Sequence, residues 1–470
     1  MDKKLDSRQT VRTALLNTVA NMLSLIVGMV MIPIITRALS LSEMGVATTF
    51  ISTRNTFVIL ATLAAYSYVN KAMLEFYDAK KSYLGSMALF CLGTIAISFL
   101  ICLPFKARLM ELFSLDNFLF FWLFISSFAF ALYSLGDYYC IFHNKSILVF
   151  FIVLSVGPVA QLLSLGLAVL MPQNKYIGRV IGLDFTYCVV AVVVILWLLF
   201  SKKVRPGWKY VKHTLSFTVP IIPHLLSQMV LTQCDLIMIS YFAGEDKSGI
   251  YGMGHTVGYL AFTVMSQIMA AWSPWVYRRL EERDYKSIRD NSRIMMLLGT
   301  YLTIGLLTVS TELIRIFLTD DYLPCIYIVP LLVLAMFFQF IYLFFYDLEY
   351  YHKKSKWIAT ASVIAAILNA GLNLLLIPRL GYMAACYTTV ASYLVLLLLN
   401  YLFCRRLEAA KIYHLKTAFV LILVVVLYML FIFATIDHII IRYLALVVIT
   451  ILLLKLEWKD IKALLKAVKG

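Results

Sequence analysis

The residues of this chain that could do chemistry are few, and they stand in apolar surroundings. Arg54, in FISTRNTFVIL, falls about ten residues into an otherwise uncharged run. At 1.5 Å per residue that is about 15 Å down a helix, near the midplane of a bilayer. His224, in VPIIPHLLSQ, lies about nine residues into a second run entered from the opposite side, and Asp235 follows nearer the outer end. The eleven residues between them make about three turns, so they share one helix face, with Gln228 between. Charge at such depth costs from ~3 to more than 10 kcal/mol unless it faces protein or water. Arg54 is therefore a candidate for holding an anion, and His224 and Asp235 for coupling to an ion. Plainer readings stand beside these: Arg54 as a structural cation paired with a neighbouring helix, His224 as a packing residue next to Pro220 and Pro223, and Asp235 as a helix-end cap.

Two amide pairs, Asn17 with Asn21 and Asn369 with Asn373, have i, i+4 spacing, which puts both amides of each pair on one face. They are candidates for polar cavity groups or for packing between helices, worth about a kcal/mol or less. Asp184, Arg179 and His255 fall closer to the outer boundary and read as interfacial; Asp137, Asp347 and Glu349 sit near cytoplasmic ends. The eight cysteines are scattered, mostly within apolar blocks, and no pair has Cys-x-x-Cys spacing. Neither a metal site nor a disulfide framework is expected, and no cofactor beyond a coupling proton or sodium ion.

These groups must be positioned by membrane helices. The 470 residues are 62% hydrophobic and 14% charged, with a mean hydropathy of +0.88, where a soluble chain carries about 25% charge. The excess comes in blocks of about 20 residues, each long enough to cross a ~30 Å hydrocarbon layer as a helix. The blocks do not alternate apolar with polar as barrel strands do. An all-α polytopic membrane protein is expected. The polar start, MDKKLDSRQTVR, and the long run behind it do not read as a cleavable signal peptide.

Charges and turns mark fourteen spans, near 12–36, 44–69, 82–103, 117–140, 147–171, 177–200, 215–242, 248–276, 293–318, 323–346, 357–377, 381–403, 417–435 and 438–455. With a cytoplasmic N-terminus, inside segments hold 31 of the 41 Lys and Arg, outside segments eight, and helices the two at Arg54 and Arg315. That asymmetry follows the positive-inside rule, and removing one span would invert everything downstream. The net charge of +16 then faces the anionic inner leaflet, with no call for nucleic acid. Both termini are expected in the cytoplasm. The closing KLEWKDIKALLKAVKG, with apolar residues at near-helical spacing among lysines, reads as an amphipathic cytoplasmic tail on the membrane surface. The outside loops are too short for a catalytic domain, so an enzyme is not expected.

The chain echoes itself. RALSLSEMG, Arg37 to Gly45, and YFAGEDKSG, Tyr241 to Gly249, each link two long apolar runs, at an offset of 204. This divides the chain into six-helix bundles at 1–204 and 205–408, two accessory helices at 409–456, and the tail at 457–470. An even number of helices per half makes the repeat parallel, with substrate sites expected between the halves. Pro33, Pro220, Pro223 and Pro378 leave carbonyls without donors, so their helices can bend. Arg37 would be an outer-surface cation beside such a bend, and Gly45 the start of the next helix after a tight turn.

NMLSLIVGMVMIPIITRALSLSEMG, FTVPIIPHLLSQMVLTQCDLIMISYFAGEDKSGIYG and ILNAGLNLLLIPRLGYMAA resemble the polysaccharide flippase branch of the multidrug/oligosaccharidyl-lipid/polysaccharide exporter superfamily. The last, with asparagines followed by Leu-Ile-Pro, Gly and small residues, is the most specific. The resemblance implies movement of undecaprenyl-diphosphate-linked oligosaccharide to the outer leaflet for O-antigen, capsule or related polymers. It implies a V-shaped pair of six-helix bundles in a bacterial cytoplasmic membrane, with a central cationic cavity and alternating access. Other polysaccharide assembly proteins would be its partners. Many relatives have Asp-Arg where this chain has Asp235-Leu236, and Gly where it has Ser40. A diphosphate needs fixed cations in a low-dielectric layer, and arginine stays charged when buried. Arg54 is the first choice, with Arg12 and Lys71 near the cytoplasmic entrance and Arg37 outside. Alternatives with the same fold are a lipid II flippase and a multidrug antiporter.

Overall fold

The computed structural model describes residues 7–143, 145–201, 204–407 and 412–456. It contains fourteen long helices: α1 Ser7–Ala38, α2 Leu41–Ala61, α3 Lys80–Cys102, α4 Asn117–Phe142, α5 Ser146–Leu170, α6 Lys175–Leu199 and α7 Trp208–Ala243. Next come α8 Glu245–Glu281, α9 Tyr285–Phe317, α10 Cys325–Tyr351, α11 Ser355–Leu380, α12 Met383–Cys404, α13 Leu415–Ala434 and α14 Ile439–Leu456. They coincide with the fourteen expected spans, and eleven are long and apolar enough by themselves to cross a membrane. The chain is an all-α multi-pass membrane protein. The tail at 457–470 lies outside the described residues, as do the side chains of Arg12 and Asn17.

Local signals fix several ends. Ser40 caps α2, and Glu43 reaches back to the Ser40 amide at 2.9 Å, a reciprocal capping box. Asp116 caps α4 by accepting from the Leu119 amide at 2.6 Å. The second span closes earlier than its apolar run suggests, at Ala61, because Leu63 and Ala64 take left-handed conformations (φ 49° and 52°) that no helix continues through. A short helix, Val69–Glu75, follows on the basic side. Gly45 lies inside the first turns of α2 rather than at its start. A Cβ built on it would lie 1.9 Å from the carbonyl oxygen of Glu245, and one built on Gly249 would lie 2.3 Å from that of Leu41.

The four prolines named from the sequence lie inside helices. α1, α7 and α11 run as uninterrupted helix through Pro33, Pro220, Pro223 and Pro378. The wide π turn falls instead at Ser155–Val159, around Pro158 in α5. There the hydroxyl of Thr186 in α6 donates to the Ser155 carbonyl at 2.8 Å.

The chain divides into two compact units, Met1–Ile250 with Ile377–Tyr382, and Tyr251–Leu376 with Met383–Gly470. In the first, one core gathers Tyr83, Met87, Leu132, Leu135, Val194 and Val211, and a second gathers Phe50, Phe120, Phe124 and Val180. The second unit is built around α10. Its sequence is apolar all round and 22 of its 27 residues are buried, among α9, α12 and α13. The accessory helices are fastened to α9. Arg442 of α14, fully buried, donates to both carboxylate oxygens of Glu312 and to the Thr308 carbonyl. Tyr428 of α13 pairs with the Thr308 hydroxyl at 2.6 Å.

Candidate transport site

Arg54 stands thirteen residues into α2 and Asp184 nine residues into α6, both counted from the same side of the chain's topology. The helices bring them together. The Arg54 Nη1 donates to Asp184 Oδ1, Nη2 donates to Asn55 Oδ1 at 3.0 Å, and the Trp122 indole donates to Asp184 Oδ2 at 3.0 Å. The guanidinium lies 5.3 Å from the Tyr187 ring centre and 5.8 Å from that of Phe130. Arg54 is 5% exposed and Asp184 1%. The intramembrane cation is thus charge-compensated, and only its buried Nε is left without a partner.

That geometry is the plainer of the two readings the sequence offered for Arg54. Asp184, read there as interfacial, is its partner. Depth alone would have flagged the pair, because both groups sit well inside helices that run in the same direction, at similar depth and with opposite charge. Arg179, one turn before Asp184, is also buried and donates to Gln161 Oε1 at 2.7 Å and to the Ser164 hydroxyl. It too lies in packed protein.

On α7, Asp235 is 3% exposed, in a buried row with Ser227 and Leu231. His224 is partly buried, and its Nδ1 has no hydrogen-bond partner. In the second unit Asn369 and Asn373 are both fully buried. The Asn373 amide donates to Asn369 Oδ1 at 3.3 Å, and the Thr388 hydroxyl of α12 donates to Asn373 Oδ1. This polar thread ties α11 to α12, and the Asn369 amide nitrogen has no partner. Asn21 is partly buried on α1.

The peripheral cations are exposed. Arg37 is exposed in the last turn of α1. Lys71 is exposed, 3.9 Å from Glu75 and 4.6 Å from the Phe217 ring centre. Glu75 in turn meets His213 at 2.6 Å and accepts from the Tyr68 hydroxyl at 3.0 Å. Partial burial pushes the Glu75 carboxyl up, but the hydrogen bonds from His213 and Tyr68 and the nearby positive charges outweigh it and hold it below the ordinary glutamate value.

A cavity of about 670 Å³ opens in the first unit near the α1–α2 turn, with Glu43, Glu111, Asp116 and Glu245 in its wall. Three of the four carboxylates are already engaged. Glu43 accepts from the Ser40 and Lys175 amides, Asp116 from Leu119 and the Tyr176 hydroxyl, and Glu245 from the Ser42 hydroxyl. Among the described residues no group of three or more His, Cys, Asp or Glu is arranged to hold a metal ion.

The MatE family model matches residues 220–376. No curated protein matches the chain. Among solved structures, a lipid II flippase MurJ in an inward closed conformation superposes with a TM-score of 0.73 at 16% identity, covering 95% of this chain and 99% of its own. An inward-facing multidrug resistance MATE family transporter of the MOP superfamily superposes at 0.66 and 10% identity, covering 85% and 98%. A MOP superfamily transporter from Pyrococcus furiosus, described by a binding pocket of reverse polarity, superposes at 0.55 and 10% identity, covering 86% and 96%. The chain therefore has the multi-pass all-α fold of MOP superfamily transporters and carries a MatE segment in its middle third.

Proposed function

We propose that this protein is a flippase that carries undecaprenyl-diphosphate-linked oligosaccharide from the inner to the outer leaflet of a bacterial cytoplasmic membrane by alternating access, coupled to protons or sodium. The observation that carries the reading is how much of the chain each neighbour accounts for. The lipid II flippase structure covers 95% of it, whereas the two other transporters cover 85–86% while matching nearly all of themselves. The difference is about the combined length of α13 and α14, 20 and 18 residues. Those helices are anchored by buried polar contacts to α9, which supports their being a working part of a lipid-carrying machine. The buried polar inventory agrees, since the deepest cation found from the sequence is an arginine suited to phosphate.

In this reading Arg54 is held by Asp184 until a diphosphate competes for it, with Arg12 and Lys71 nearer the loading side. A lipid II flippase is the second reading, favoured by the superposition on MurJ at a TM-score of 0.73. The test is complementation. The wild-type gene should restore surface polymer in a strain lacking its polysaccharide flippase, and Arg54→Ala should fail while still reaching the membrane. Rescue only of a strain depleted of its lipid II flippase would select the second reading. Lowered drug sensitivity with no rescue of either strain would overturn both.

A further inference from the structure

Four helix ends of the first unit, on the side that the lysine and arginine count assigns to the cytoplasm, gather cations that no ion pair accounts for. The turn Tyr77–Ala79 leads into α3 with Lys80 and Lys81, α4 ends at Phe142 and His143, Lys145 precedes α5, and α6 ends at Leu199. Lys80 Nζ lies 3.5 Å from the Tyr77 ring centre, 4.8 Å from that of Phe142 and 3.4 Å from His143 Nε2. The His143 and Tyr139 ring centres are 4.1 Å apart, and those of Tyr139 and Trp197 4.9 Å. Lys81 Nζ lies 5.3 Å from the Trp197 ring centre and Lys145 Nζ 5.5 Å from that of Tyr139. The result is one continuous strip in which aromatic faces hold three ammonium groups.

Rings hold an ammonium without neutralising it. Among the described residues none of the three lysines pairs with a carboxylate, and the acids on these helix ends, Asp78 and Asp137, form no ion pair with them. An ammonium has three donors. Lys80 directs one to His143 and Lys81 one to the Ser201 hydroxyl at 2.8 Å, while Lys145 Nζ makes no hydrogen bond among the described residues. His143 feels the excess charge. Its Nδ1 donates to the Tyr139 carbonyl at 2.9 Å, which leaves Nε2 to accept from Lys80. Burial holds its pKa below the ordinary histidine value; the bond to the carbonyl opposes this, and the charges of Lys80 and Lys145 add to the lowering.

The surface beside the strip is apolar. Ile147 and Leu148 open α5 and Leu199 and Phe200 close α6, and these four are 46–82% exposed. A ligand that matches both features carries phosphate at one end and acyl chains at the other.

We propose that the strip binds the headgroup of an anionic phospholipid in the adjoining leaflet. Lys80, Lys81 and Lys145 donate to its phosphate oxygens, and its chains run along the exposed ends of α5 and α6. One headgroup thereby ties together the ends of four helices. The strip contains none of the residues given to the transport site, and its occupant is independent of the flippase reading.

The test uses the full-length protein in phosphatidylcholine nanodiscs, into which phosphatidylglycerol with brominated chains is titrated. Bromine quenches nearby indoles, and subtracting the signal of Trp197→Phe isolates Trp197 among the seven tryptophans. Half-quenching should need an at least roughly tenfold lower mole fraction of brominated phosphatidylglycerol than of brominated phosphatidylcholine. Lys80→Gln/Lys81→Gln/Lys145→Gln should lose that preference and the triple arginine variant should keep it. Lys353→Gln/Lys354→Gln/Lys356→Gln, at three exposed lysines around the start of α11, should leave it intact. Equal quenching by the two lipids in the wild type overturns the site, and this comparison stands even if the glutamine variant does not fold. An equal loss in the second triple variant also overturns it. Release of the quenching by inorganic phosphate would mark a free-anion site and overturn the lipid. Release by undecaprenyl diphosphate, at a lower mole fraction than phosphatidylglycerol needs, would make the strip a loading point for cargo and overturn it too.

Discussion

Two buried arginine–carboxylate pairs hold helices together in this protein, one in each unit, and they are built differently. Arg54–Asp184 is closed on every side: both groups are nearly inaccessible, the second carboxylate oxygen is taken by Trp122, and aromatic rings flank the guanidinium. Arg442–Glu312 is half open. The arginine is fully buried, but the Glu312 side chain is 17% exposed, and a backbone carbonyl shares the donors. The first pair joins α2 to α6 within a closely packed helix group, whereas the second pins the C-terminal helix α14 to α9. Losing one partner should matter most where water cannot replace it.

Asp184→Asn should produce the largest effect. It leaves Arg54 charged and enclosed, and removing one partner of such a pair destabilises by about 3–5 kcal/mol. The expected result is a large fall in thermal stability in detergent, with most of it recovered in the Arg54→Met/Asp184→Leu double variant. If the single variant is as stable as wild type, the pair is not the closed unit described. Arg442→Met should act more weakly, about 1–3 kcal/mol, because Glu312 can draw on water. Hydrogen exchange or limited proteolysis should then show α13 and α14 loosening while the remaining helices keep their protection. Loss of the whole fold would mean that the contrast between the pairs is wrong.

A neutral tie sharpens the comparison. Thr388→Val removes the hydroxyl bond to Asn373, for which about 1 kcal/mol is expected. A loss as large as that for Asp184→Asn would show that enclosure rather than charge sets the scale. The smallest effect belongs to the exposed Glu75–His213 pair, worth less than about 1 kcal/mol in solvent. Its carboxyl is depressed when folded. Its contribution is therefore complete above the ordinary glutamate range and is lost as pH falls through the lowered value. Melting curves of wild type and Glu75→Gln should converge at low pH and separate slightly above it; parallel curves throughout would remove the pair from the account.

Much of the architecture was readable because membrane helices announce themselves one at a time. Each block of about 20 apolar residues satisfies its own backbone, so fourteen spans emerged without knowledge of their neighbours. Pairings between spans are another matter. Arg54 and Asp184 stand 130 positions apart in the sequence, as do Glu312 and Arg442, so nothing local marks either pair. The four prolines named from the sequence sit inside continuous helices, and the wide turn lies at Pro158, where Thr186 from the next helix supplies a donor. The echo around Gly45 and Gly249 was visible as a pattern of residue types. Its reason was not, because a carbonyl on a distant segment leaves no mark at the glycine it touches.

That last contact explains how two copies of one segment can drift apart in composition. Leu41 and Glu245 occupy equivalent places, one greasy and one charged. Each contributes only its main-chain oxygen to the other copy's glycine. The Glu245 carboxylate adds a contact of its own, accepting from the Ser42 hydroxyl at 2.8 Å, but the main-chain contacts ask nothing of either side chain as long as the glycines opposite stay bare. The likeness of the two segments thus lies in their peptide groups, in a place where the letters of the sequence differ.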